Sequence, residues 1–147
     1  MQGVTYQSDV QDMYMISDET YDIIISSHVL EHVENDRKAL KEMKRILKED
    51  GMILFLVPID LNANKINEEW GLSEEENWRR FGQGDYCRRY DKWGLIARLK
   101  EEYCVYGLGK DYFGEEEFRN CGLTETSMLY ILAKKEMPEL GKRAHKF

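Results

Sequence analysis

Hydrophobic and polar positions along this chain follow two rhythms, and each change of rhythm marks an element. Residues 4–8 are β-prone and end at Asp9. After the polar stretch "DETYD", Ile23, Ile24 and Ile25 form a continuous β-branched run, the pattern of a strand buried on both faces of a parallel sheet. Over residues 35–48 the period becomes helical, with Ala39, Leu40, Met43, Ile46 and Leu47 on one stripe. Asn35 stands where an N-cap is wanted, Asp36 suits the positive helix start, and Gly51 suits a left-handed C-cap. "MILFLVP", residues 52–58, is a second buried strand stopped by a proline. Strand, helix and strand with short joints make a βαβ unit, for which a right-handed crossover is expected.

The second half is less regular. Residues 61–77 are polar and acidic, a loop with a short helix. Residues 91–103, "DKWGLIARLKEEY", read as an amphipathic helix with Trp93, Leu95, Ile96 and Leu99 facing inward. "CVYGLG" and "SMLYILAKK" read as two strands, most simply an antiparallel pair added to the parallel sheet. After Glu136 no periodicity remains. Residues 1–136 are therefore expected to form the domain and residues 137–147 a flexible tail.

Composition narrows the class. A single domain of 147 residues can bury a core, and 42% hydrophobic with 33% charged residues describes a soluble globular chain. The net charge of −7 argues against nucleic acid or an anionic membrane as partner, because phosphate-binding faces need clustered Lys and Arg. No stretch is long and apolar enough to span a bilayer. Residues 1–20 carry Asp9, Asp12, Asp18 and Glu19 and no basic residue, unlike a secretory signal. Cys87, Cys104 and Cys121 form no C-x-x-C pair and read as reduced thiols, so a cytoplasmic location is expected.

The candidate chemistry lies in "SSHVLEHV", residues 26–33. His28-Val29-Leu30-Glu31-His32 matches the H-x-x-E-H pattern of inverted zinc peptidases. That pattern needs the middle of a long helix, so that both imidazoles reach one metal. Here His28 follows the apolar strand after two serines, and the helix begins seven residues later. The octet therefore sits at the carboxyl end of a strand, where open α/β sheets bind ligands. No metal site is assigned, and a metal-dependent hydrolase is the most distant reading.

"YDIIISSHVLEHVENDRKALKEMKRILKEDGMILFLVP" resembles the fourth strand, following helix and fifth strand of the class I S-adenosylmethionine-dependent methyltransferases. Tyr21, Asp22, the turn from His28 to Val33, Glu42, Arg45, Leu47 and Gly51 match the family pattern. "SDVQDMYMISDETYD" is similar to the segment that holds the adenine, and "FGQGDYCRRYDKWGLIARLKEEYCV" to a stretch of one bacterial branch. The resemblance implies an α/β, Rossmann-like class I methyltransferase fold with strand order 3-2-1-4-5-7-6. It implies an N-terminally truncated version, mostly parallel with a late antiparallel strand, that uses S-adenosylmethionine to methylate an unknown acceptor. On this pattern Asp9 would accept from the adenine amino group, the Val10 backbone would meet the ring, and Ser27 would lie against the methionine part. His28 would be a base or substrate orienter, and His32 would face the sheet.

Arg79, Arg80, Arg88 and Arg89 form a basic cluster interleaved with aromatic residues. Within it Arg88 and Tyr90 are candidates for contacting a small-molecule or saccharide-like acceptor. The alternative is a solvated face paired with "SEEEN". Trp70 and Trp93 read as packing anchors. The family's glycine-rich strand-to-helix turn is missing from the sequence, a loss that would weaken or abolish cofactor binding. Two other readings therefore stay open: a non-catalytic, methyltransferase-like remnant serving as an interaction module, and a fragment of a longer enzyme. Without the family's first strand, residues 21–26 become an exposed apolar edge. A homodimer through that edge, or the N-terminal segment folded across it, is expected.

Overall fold

The change of period at residue 35 marks a true element boundary in the computed structural model, which describes residues 7–124 and 126–147. Most of the expected first strand, residues 4–6, lies outside these. In chain order come β1 (Tyr21–Ser27), a 3-10 turn (Leu30–His32), α1 (Asp36–Ile46), β2 (Leu47–Leu56), β3 (Asn67–Glu68) and α2 (Glu74–Phe81). Then follow β4 (Arg88–Arg89), α3 (Lys92–Leu99), β5 (Cys104–Leu108), α4 (Lys110–Phe113), α5 (Glu115–Asn120), β6 (Leu129–Ala133), α6 (Pro138–Gly141) and β7 (His145–Lys146).

Among the described residues five strands form the main sheet in the order β1-β2-β6-β5-β7, and β3 pairs with β4 separately. β1 and β2 are parallel, and β6 runs antiparallel to both β2 and β5. Strands β1, β2 and β5 thus share one direction, with the late strand β6 reversed between them. This is the 4-5-7-6 portion of the expected order. A second reversed strand, β7, pairs with β5 at the far edge. Residues 137–147, expected as a flexible tail, thus contain α6 and the last strand, and the Phe147 amide donates to Val105 O at 3.1 Å.

α1 forms as its sequence dictates. The Asn35 side chain caps it by accepting from the Lys38 amide at 3.0 Å. Its stripe of Ala39, Leu40, Met43 and Ile46 is buried against Ile53 and Phe55 of β2 and Leu95 and Leu99 of α3. Two local expectations change. The helix ends at an extended Leu47 and runs straight into β2, so Gly51 is no C-cap. A Cβ on Gly51 would lie 2.8 Å from Asp22 O and from Leu47 Cδ1, so the glycine permits close approach of β1. β1 is also not buried on both faces. Among the described residues it has one strand neighbour, and Ile23 and Ile25 are 54% and 71% exposed. Leu95, Ile96 and Leu99 of α3 are buried, but Trp93 and Trp70 are mostly exposed and lie outside the core.

One buried ionic cluster ties the two halves together. Asp36, 3% exposed, accepts at Oδ2 from the Tyr90 hydroxyl and from Arg98 Nη1, both at 2.6 Å. Arg98 also donates to both Glu68 oxygens at 2.9 and 3.0 Å, and Arg88 Nε donates to Glu68 at 3.1 Å. The bond from Arg98 is the main reason that the Glu68 carboxyl is held down at about 2. Burial, with Asp36 alongside, pushes the Tyr90 phenol far above its usual range.

Removing one partner from a buried pair leaves the others uncompensated. Asp36→Ala is therefore expected to destabilise the fold by about 3 kcal/mol or more, read as a lower urea midpoint. Glu68 gives the acid dependence. Its folded value is depressed from 4.5, so its contribution is present above the unfolded value and is lost as pH falls from about 4.5 toward about 2. Because the side chain is 40% exposed, solvent screening leaves on the order of 1 kcal/mol. Urea titrations across this window should show Glu68→Gln with a shallower acid-limb loss than the unmodified chain.

Candidate functional site

β1 ends at Ser27, and the chain then turns through a residue in left-handed conformation: His28 has φ 54°. A non-glycine residue there carries strain on the order of 1 kcal/mol and stays only where its surroundings hold it. Three contacts do so. The His28 amide donates to Leu56 O at 3.0 Å, extending the β1–β2 ladder by one step. The imidazole Nδ1 lies 3.1 Å from Glu31 Oε1. From beneath, Arg88 Nη1 donates to Leu30 O at 2.6 Å and to Val33 O, and Nη2 donates to Glu34 O at 2.8 Å.

The electrostatics of the turn are unusual. Glu31 is 1% exposed while the His28 side chain is 61% exposed. Glu31 Oε2 and, nearby in sequence, Ser26 Oγ are buried without a hydrogen-bond partner among the described residues. Orphaned buried oxygens cost free energy, and they are tolerated where a ligand or water completes them. In the tautomer whose Nδ1 proton goes to Glu31, His28 Nε2 is an acceptor.

The other expected site residues are placed as follows. Asp9 is exposed, and its Oδ1 accepts from the Gln11 amide at 2.8 Å, which closes a turn of its own. Val10 is half-buried against the main core. This segment is fastened to α1: Gln11 Oε1 accepts from the Asn35 amide at 2.8 Å, Glu42 accepts from the Met13 amide at 2.8 Å, and Arg45 donates to Ile16 O and Met13 O at 2.8 and 2.9 Å. Glu42 and Arg45, which match the family pattern, thus hold the Asp9 segment beside the helix that follows the turn. Ser27 is exposed at the strand end.

The basic cluster does not form one surface. Arg88 and Tyr90 are buried, with their polar groups bonded inside the protein, so they support the turn rather than present an acceptor-binding face. Arg80 turns to Asn67 and Glu69, and Arg89 to Asp60. His32 does not face the sheet. Its Nδ1 lies 3.2 Å from Asp85 Oδ2, and its ring meets Tyr86 edge-on. The two histidines of the zinc-like pattern thus turn to different carboxylates. Among the described residues no group of three or more His, Cys, Asp and Glu side chains is gathered as a metal site.

Sequence reasoning missed Asp36, Glu68 and Arg98 as the support of the turn. One signal was available: Arg98 falls on the same helix face as Leu95 and Leu99, a charged residue where an apolar one is expected. Two cavities complete the surroundings. A polar one of about 570 Å3 lies between Gln11, Asn35, Trp70, Arg88 and Arg98. An apolar one of about 630 Å3 lies at the carboxyl ends of β2 and β5, and Leu56, the partner of the His28 amide, lines it.

A family model described as "Methyltransferase domain" matches residues 2–55. Thiol S-methyltransferase TMT1B of Rattus norvegicus is 27% identical over 90 residues, 61% of this chain and 36% of that protein. Its Homo sapiens counterpart is 26% identical over 83 residues, 56% and 34% of the two chains. The chain thus spans about a third of the length of these curated relatives. Among solved structures, a Thermotoga maritima S-adenosylmethionine-dependent methyltransferase, described as a possible histamine N-methyltransferase, superposes with a TM-score of 0.57 at 18% identity, over 87% of this chain and 62% of that one. A Mesorhizobium loti S-adenosylmethionine-dependent methyltransferase gives 0.53 at 12% identity, over 89% and 68%. Residues 2–55 carry the methyltransferase-domain signature, and nearly the whole chain adopts the Rossmann-like fold of the S-adenosylmethionine-dependent methyltransferases.

Proposed function

We propose that this chain carries a site for methyl transfer from S-adenosylmethionine to a small-molecule acceptor. The strand-end turn carries the reading: an exposed imidazole on a residue in left-handed conformation, backed by a buried carboxylate with one oxygen unpartnered among the described residues, stands where open α/β sheets hold ligands. The residues present suit the cofactor on this side. Ser27 at the strand end would lie against its methionine part. The exposed Asp9 carboxylate would accept from the adenine amino group, with the Val10 backbone against the ring. When bound, the cofactor supplies a methyl group already activated by the positive charge on its sulfur.

The protein's own task is then alignment and proton removal. His28, with Nδ1 held by Glu31, would take the acceptor's proton at Nε2. Arg88 and Tyr90 would act from beneath by fixing the turn. The name of the curated relatives makes a thiol the first acceptor to test. The free thiols of Cys87, Cys104 and Cys121 suit a reducing, cytoplasmic setting.

Calorimetric titration with S-adenosylmethionine and S-adenosylhomocysteine tests the site. Saturable binding is expected, weakened about tenfold, or ~1.4 kcal/mol, by Asp9→Ala or by Ser27→Ala. No detectable binding at millimolar cofactor rejects catalysis by this chain. His28→Ala should lower turnover by about a hundredfold with little change in cofactor affinity.

A second role is favoured by the exposed Ile23 and Ile25: the β1 edge pairs with a second copy of the chain as a homodimer. Sedimentation velocity should show a dimer that Ile25→Lys converts to monomer. A monodisperse monomer of the unmodified chain would remove this role.

A further inference from the structure

The apolar cavity has the volume of a small-molecule site, about 630 Å3, and its walls are mostly hydrocarbon and aromatic, with the hydroxyl side chains of Thr126 and Ser127 at one side. Leu56 and Leu108 reach it from the strand ends, and Phe113 and Phe118 from α4 and α5. It is joined to the turn through backbone, since Leu56 O holds the His28 amide. Lys92, the first residue of α3, is the cationic side chain in its lining. Its ammonium stands 5.2 Å from the Trp93 ring centre and 6.0 Å from that of Phe147, two rings outside the cavity's lining, and the side chain also borders a neighbouring cavity.

We propose that this cavity takes the acceptor, and that the acceptor is a small molecule with an apolar body and one weakly acidic reacting group of the thiol or phenol kind. The inference rests on the methyl-transfer reading above. A saccharide-like acceptor would find too few hydrogen-bonding partners along these walls, and its hydroxyls would lose water without replacement. An apolar body loses nothing by entering, and burying it is favourable at roughly 25 cal/mol per Å2. A developing anion inside hydrocarbon would be costly, but beside the Lys92 ammonium its charge is offset.

The acceptor gives its proton to His28 or to water and becomes the anion. Its lone pair forms the bond to the methyl carbon, with the sulfonium's carbon–sulfur bond breaking and that electron pair leaving on sulfur. Anion and sulfonium both end neutral.

Thiophenol and toluene, matched in shape, are suitable probes at mildly alkaline pH, where thiophenol is the thiolate. Methyl-resonance NMR titration of the full chain should show saturable binding of both, with the thiolate about fivefold tighter or more. Lys92→Met should remove that preference and keep toluene binding. Leu61→Trp and Leu123→Trp, at two exposed positions of the lining, should weaken both probes, with circular dichroism confirming the fold. Absence of probe binding, binding indifferent to both tryptophan variants, or a thiolate preference that survives Lys92→Met would each overturn the proposal. A parallel cofactor titration separates the two readings. Cofactor binding without probe binding removes this ligand class alone, whereas probe binding without cofactor binding removes methyl transfer.

Discussion

A buried carboxylate must be paired where it lies, and Asp36 meets that requirement with residues more than fifty positions away. Tyr90 and Arg98 come to it from the segment before α3 and from α3 itself. Their neighbour Arg88 spends its guanidinium on the carbonyls of Leu30, Val33 and Glu34. The turn that presents Ser27 and His28 therefore takes its shape from an ionic cluster on its inner side. Hydrophobic packing alone would not hold His28 in left-handed conformation, because apolar contacts are non-directional and the backbone preference opposes it.

Elements set by local period were legible in the sequence. The stripe of α1, its Asn35 cap, the strand after it and the late antiparallel pair all follow from spacing, and the octet's place after an apolar run located the turn. What stayed hidden depends on partners distant in the chain. Ile23 and Ile25 look like core residues by type, yet their exposure depends on whether a neighbour covers them. Gly51 reads equally well as a helix stop or as a point of close strand approach, and only the position of Asp22 O decides. Arg88 reads as a surface cation because its letter carries no trace of the carbonyls above it. The site was half legible in the same way: its strand-end position could be read, but not the Glu31 carboxylate behind His28 or the support beneath.

The surroundings of the turn are divided by polarity. Toward α1 lie Gln11, Asn35 and the two arginines, a hydrogen-bonding environment suited to heteroatoms. Toward the ends of β2 and β5 lie leucines and phenylalanines.

The position of β6 has a consequence for how the molecule is made. Leu129–Ala133 lies between β2 and β5, although both of those strands precede it in the chain. During synthesis, which proceeds from the N-terminus, β2 and β5 must wait for a partner that emerges late. Until then each presents an open ladder of amides and carbonyls, and β2 already carries β1 with its uncovered isoleucines. The sheet is closed from its middle by one of its last strands, so a nascent chain stalled before residue 129 would hold three strands that share a direction and lack the one between them. The interval before β6 arrives is the period of greatest exposure to mispairing.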